Sequence, residues 1–288
     1  MSDNRLVKAI KDKGKDLESE MSFFDHLETL RWHLIRSALA VVVFMVIAFW
    51  NFEVLFNAVI MAPFQLNFWT YRMICAVGHY FNRPGWCIDK INGHIINTEV
   101  TGQFMLKLNS SMLIGVVVAF PYILYELWRF VKPALHPKER RAARGFVFYA
   151  TALFVVGILF GYYLIAPEGI IFLVNYNISD TINNQFNISS YLSIIATITL
   201  LTGIVFELPM LVYILANLGV LTGTFMRRTR RYAIIIIMVV GAIISPSPDV
   251  LSTTIATIPL LVLYEISIVV ASVIEKRRAK EHDELMAS

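Results

Sequence analysis

The sequence predicts an all-α, polytopic membrane protein: six transmembrane helices, both termini cytoplasmic, and a concave, cradle-like bundle. Three observations predict it: an apolar composition, six long apolar runs, and Lys and Arg gathered on one side of those runs. Of 288 residues, 57% are hydrophobic and 16% charged, against about 45–50% and about 25% in soluble domains. Mean hydropathy is +0.63. The apolar residues cluster in stretches long enough to cross a bilayer.

Residues 1–33 read as a cytoplasmic tail. Lys8, Lys11, Lys13 and Lys15 mix with Asp3, Asp16, Glu18, Glu20 and Asp25. No apolar core of about 7–15 residues lies there, so a cleavable signal peptide is not expected. The membrane domain, 34–273, holds spans at about 34–56, 106–131, 145–166, 191–216, 230–246 and 250–273. The fifth is short, and its start at Arg230-Arg-Tyr belongs at the interface. Residues 274–288 form a second cytoplasmic tail.

Orientation follows from charge. On one side lie seven Lys and Arg up to Arg36, six from Arg129 to Arg144, four from Arg227 to Arg231 and four from Lys276 to Lys280. The other side keeps Arg72, Arg83, Lys90 and Lys107. That asymmetry puts both termini in the cytoplasm. A net charge of +4 is no sign of nucleic-acid binding here, because the basic residues flank apolar segments.

Residues 57–105 and 167–190 form two longer external loops, and Ser245-Pro-Ser-Pro-Asp249 a short one. Cys75 and Cys87 both lie in the first, on the oxidising side. Two readings stay open: free thiols, or a disulfide contributing on the order of 3 kcal/mol. Pro121 and Pro259 fall inside spans two and six, where they bend helices and shape a concave surface. Gly157-Ile-Leu-Phe-Gly161 allows close helix approach in span three.

Soluble-enzyme motifs are absent: no Gly-rich phosphate loop, no G-x-S-x-G, no H-E-x-x-H, no C-x-x-C. No catalytic residue, cofactor or metal site is expected. His26 and His33, seven apart, read as structural or interfacial.

One residue stands out. Glu207, in Leu200-Leu-Thr-Gly-Ile-Val-Phe-Glu-Leu-Pro-Met-Leu-Val-Tyr-Ile-Leu-Ala216, is a carboxylate in the middle of span four. Such a placement costs roughly 2.5–3.5 kcal/mol on insertion scales. It is tolerated in protonated form, bonded to a neighbouring helix, or in a water-filled dent in a thinned bilayer. Each makes it a docking point for a partner helix with a polar residue. The alternatives are satisfaction within the bundle by Thr199 or Thr202, or proton carriage in a small-solute transporter. Glu265 in span six ranks below it, being nearer the cytoplasmic end.

Three stretches carry a resemblance. They are Ser22-Phe-Phe-Asp-His-Leu-Glu-Thr-Leu-Arg-Trp-His-Leu34, then Phe120-Pro-Tyr-Ile-Leu-Tyr-Glu-Leu-Trp-Arg-Phe-Val-Lys-Pro-Ala-Leu-His-Pro-Lys-Glu-Arg-Arg141, and a third set. That set is Phe206-Glu-Leu-Pro209, Arg231-Tyr-Ala, Ser245-Pro-Ser-Pro-Asp249 and Ile258-Pro-Leu-Leu-Val-Leu-Tyr-Glu265. Over about residues 22–275 the chain resembles the TatC family, signal-peptide receptors of the twin-arginine protein translocase.

The resemblance implies a core receptor that binds signal peptides carrying two consecutive arginines at the cytoplasmic face. It implies assembly with TatA- and TatB-type single-span subunits, self-association in a larger complex, and movement of folded proteins driven by the proton-motive force. Glu139 matches the family's loop glutamate and is the expected ligand of the arginine pair, since a carboxylate suits a guanidinium fork. Phe130 and Pro133 match the segment that holds that loop. Arg31 matches the N-terminal motif, usually His-Leu-x-Glu-Leu-Arg-x-Arg-Leu. Here Thr29 stands at the glutamate position, Glu28 one residue early, and His33 at the second arginine. One residue turns a helical side chain by about 100°, so either Glu28 takes the role by a local rotation or Glu139 carries more of the binding. Glu207 matches a glutamate facing a groove that meets partner subunits.

Overall fold

The computed structural model describes residues 23–82, 87–88, 91, 93–132, 145–179, 184–247 and 249–287, with 23–27, 251 and 281–287 as backbone only. Apolar runs set the helices. α1 (Phe23–Trp50) is followed by short helical turns over 52–64 and by α2 (Trp69–Tyr80). Next come α3 (Gly102–Val131), α4 (Phe146–Phe160) and α5 (Ala166–Asn175). A π-helical turn, Gly161–Ile165, joins α4 to α5. α6 (Ile188–Phe206) and α7 (Leu208–Asn217) follow, then α8 (Gly223–Ile244) and α9 (Val250–Ala287).

Among the described residues, five stretches are long and apolar enough to cross a membrane: Glu28–Trp50, Gly102–Val131, Phe146–Asn175, Ile188–Asn217 and Ser252–Lys280. The run expected at 230–246 lies in α8, which falls short for a physical reason. Arg227, Arg228, Arg230 and Arg231 occupy its first turns. Its apolar part, 233–244, spans about 18 Å at 1.5 Å per residue, against about 30 Å of hydrocarbon.

The expected prolines act differently. α3 and α9 continue through Pro121 and Pro259. Pro209 instead sits in the first turn of α7, where its missing N–H costs nothing. The break falls at Glu207, which ends α6 and precedes α7.

Two close approaches organise the bundle. α1 lies along α3 at Gly115, where a Cβ would come within 2.8 Å of the Met45 backbone nitrogen. α4 meets α6 at Gly157, whose Cβ would lie 2.9 Å from Gly203 Cα, and at Gly161 against Thr202. The Gly157/Gly161 spacing thus serves helix packing.

One end of the bundle is tied together by polar bonds. Strand β1 (His94–Ile96) pairs in parallel with β2 (Gln185–Asn187), Ile95 opposite Phe186. Cys75 and Cys87 are joined as a disulfide. Beneath lies a core of Ile60, Phe68, Tyr71, Leu106, Tyr162, Ile170 and Tyr191. The hydroxyls of Tyr71, Tyr162 and Tyr191 donate to the carbonyls of Pro63 (2.6 Å), Val59 (2.6 Å) and Ile60 (2.8 Å). These bonds fasten the 52–64 turns onto α2, α6 and the π-helical turn. We call this the sheet end.

Candidate functional site

Apart from Cys75 and Cys87 at the sheet end, the predicted site residues that the structure describes fall in two places, on the far end of the bundle and midway along it. At the far end, Glu28 and Arg31 are exposed on α1, three residues apart and so on one helix face. Phe130, near the end of α3, packs edge-on against the His33 ring with centroids 6.2 Å apart. Pro133 and Glu139 lie outside the described residues.

The same α1–α3 contact contains a carboxylate that the sequence reading passed over. Glu126 is 1% exposed. Its Oε2 meets His33 Nδ1, and its Oε1 accepts from the Tyr122 hydroxyl at 3.0 Å. Arg129 Nη1 stands 3.9 Å from Oε1. The available signal was an acidic residue within an otherwise apolar run, the same signal that marked Glu207.

Midway along the bundle, the break between α6 and α7 presents Glu207. Its Oε1 is buried and makes no hydrogen bond among the described residues. The bundle's own hydroxyls do not serve it. Thr202 donates to the backbone, within 2.8 Å of Ile198 O and 2.9 Å of Thr199 O, and Thr199 Oγ1 is itself unbonded among the described residues. Just past Glu207, Pro209, Met210 and Tyr213 line a groove of about 510 Å³. Phe146 and Tyr149 of α4 and Ile266 and Val270 of α9 form its other walls. A buried polar oxygen with no partner costs about 1–3 kcal/mol, and an apolar groove beside it suits an apolar helix.

Other charged groups are satisfied locally. Glu265 pairs with Arg230 of α8 at 2.6 Å. Asp249 caps α9, accepting from Ser252 N–H at 2.9 Å, and the Ser252 hydroxyl lies 2.6 Å from both Asp249 Oδ1 and Glu168 Oε1. The side chains of Ser247 and Ser252, with the Ser252 N–H, hold the Asp249 carboxyl down at about 2, below its ordinary 3.8. Among the described residues, Cys75, His79 and Cys87 are the one group with metal-ligand geometry, their ligand atoms within 4.8 Å. Both sulfurs are engaged in the disulfide.

Residues 25–259 match the family model described as Sec-independent protein translocase protein (TatC). The chain belongs to the TatC family. That membership makes it a subunit of the Sec-independent, twin-arginine protein translocase. A TatC protein of Blattabacterium sp. subsp. Periplaneta americana is 34% identical over 266 residues, covering 92% of this chain and 100% of the relative. One of Deinococcus radiodurans is 32% identical over 250 residues, covering 87% and 85%. A crystal structure titled as the twin-arginine translocase receptor TatC superposes with a TM-score of 0.62 at 29% identity. It covers 87% of this chain and 99% of that one. The TatC fold is thus the setting for both the α1–α3 contact and the Glu207 break.

Proposed function

We propose that this TatC protein is the signal-peptide receptor of its translocase, in a bacterial inner membrane, with both termini cytoplasmic. The asymmetry of Lys and Arg supports that orientation. α8 then completes a sixth crossing, its arginines reaching to the cytoplasmic interface along their aliphatic stems. The sheet end faces outward, where an oxidising compartment suits the disulfide.

Recognition is electrostatic. Glu139 accepts the paired guanidinium groups of the signal, and Glu28, Arg31, Phe130 and Pro133 contribute to the same binding. A carboxylate at the membrane surface, partly shielded from water, forms stronger charge-assisted bonds than one in bulk solvent. Binding and assembly require no covalent chemistry of this chain.

Assembly runs through Glu207. The observation that carries this reading is its buried Oε1, unbonded among the described residues, two positions before the Pro209 that lines an apolar groove. A TatA- or TatB-type single-span helix with a polar residue would bond that oxygen and fill the groove. The resulting complex, with further copies of this chain, moves folded cargo using the proton-motive force. A proton-coupled solute transporter also uses a buried carboxylate, but gives the 22–275 resemblance no account.

Crosslinking tests recognition. A photoreactive residue at position 139 captures a twin-arginine signal peptide, and capture is lost when both arginines become lysines. Equal capture of both peptides contradicts the reading.

A further inference from the structure

Glu126 is the one acidic or basic residue buried as a whole among the described residues, and the function proposed above gives it no task. It lies about one and a half turns before the end of α3. Three features separate its contact with His33 from a plain helix clamp.

The first is cost. A buried carboxylate is expensive to desolvate, and an apolar pair of similar volume would join α1 to α3 without that penalty. The second is the partner. An imidazole offers Oε2 a single donor, whereas a guanidinium offers a planar fork that grips a carboxylate at two points. Arg129 does not fill that role: it is 3.9 Å away and half exposed. Glu126 is therefore held by a partner that an arriving guanidinium outcompetes. The third is position. The His33 ring touches Phe130, and the segment bearing Glu139 begins two residues after that end of α3. On α1, Glu28 and Arg31 precede His33 by less than about two turns. Glu126 lies one turn before Phe130 on α3, and its partner His33 shares α1 with Glu28 and Arg31.

We propose that Glu126 is the inner carboxylate for one guanidinium of the signal's arginine pair, and that His33 occupies it until that guanidinium arrives. Binding exchanges one hydrogen-bond donor for a stronger one. This rests on the reading of the chain as a twin-arginine signal receptor.

The test titrates a fluorescent twin-arginine signal peptide, and its Lys-Lys counterpart, against the full chain in lipid nanodiscs. Glu126→Gln keeps the side chain's shape and removes its charge. It should weaken the twin-arginine peptide about tenfold, the loss expected for one charge-assisted pair, and leave the Lys-Lys peptide unmoved. His33→Arg places a permanent guanidinium on Glu126 and should weaken the twin-arginine peptide similarly while keeping or raising the melting temperature. A clamp that serves structure alone gives the reverse: His33→Arg leaves affinity intact, and that result overturns the proposal. Should Glu126→Gln fail to fold, His33→Arg decides alone. If the unaltered chain binds both peptides equally, the receptor reading fails and this proposal with it. If it prefers the twin-arginine peptide and Glu126→Gln keeps that preference in full, only the role of Glu126 is lost.

Discussion

The sheet end and the Glu207 groove treat buried polar groups in opposite ways. At the sheet end, the hydroxyls of Tyr71, Tyr162 and Tyr191 each meet a backbone carbonyl. A β1–β2 ladder and a disulfide close over them. At the α6–α7 break, Glu207 Oε1 is buried with no bond among the described residues, and the groove that begins at Pro209 has apolar walls. Satisfied polar groups rigidify a scaffold; an unsatisfied one carries a cost of about 1–3 kcal/mol that a bonding partner would remove. The difference teaches that the sheet end holds the helices in place, while the groove is where the proposed partner helix would complete Glu207.

Stability measurements break or sharpen that contrast, beginning with the disulfide. Replacing Cys75 and Cys87 together by serine should cost about 3 kcal/mol, read by denaturant or thermal unfolding, and leave partner association intact. Loss of association with unchanged stability would reverse the assignment of the two regions. Tyr191→Phe strands the Ile60 carbonyl in the core. Its expected cost is about 2 kcal/mol, again with no effect on partners.

Asp249 gives a smaller effect with a pH signature. Asp249→Ala removes the cap of α9 and should cost about 1 kcal/mol. Because the folded-state carboxyl is held at about 2, below 3.8, its contribution is complete above the unfolded value. It fades as pH falls through the window between those values. The difference in melting temperature between the unaltered chain and Asp249→Ala should therefore shrink as pH falls from 4 toward 2. A difference that grows in that window would contradict the cap.

Legibility in the sequence followed the range of the interaction. Helices came from apolar runs, a local signal, and Glu207 from a single charge that breaks one. α8 was harder, because four arginines in its first turns leave its apolar part short, although the helix runs 22 residues and packs on α9. The strands His94–Ile96 and Gln185–Asn187 are three residues each, too short for an alternation pattern, and they pair across about ninety positions. The tyrosine–carbonyl bonds and the His33–Glu126 contact are equally long-range. No spacing rule announces that residue 33 will face residue 126. Neither reading of the shift at position 29, Glu28 turning into the role or Glu139 carrying more of the binding, considered this facing carboxylate on α3, which a single helix wheel cannot reveal.

The claim that the groove awaits a partner is tested most directly by Glu207→Gln, purified with co-produced single-span subunits and also unfolded alone. The account predicts partner copurification reduced at least tenfold, with the melting temperature of the isolated chain unchanged or raised, since a costly unpaired carboxylate has gone. Full copurification, or a marked fall in melting temperature, would contradict it.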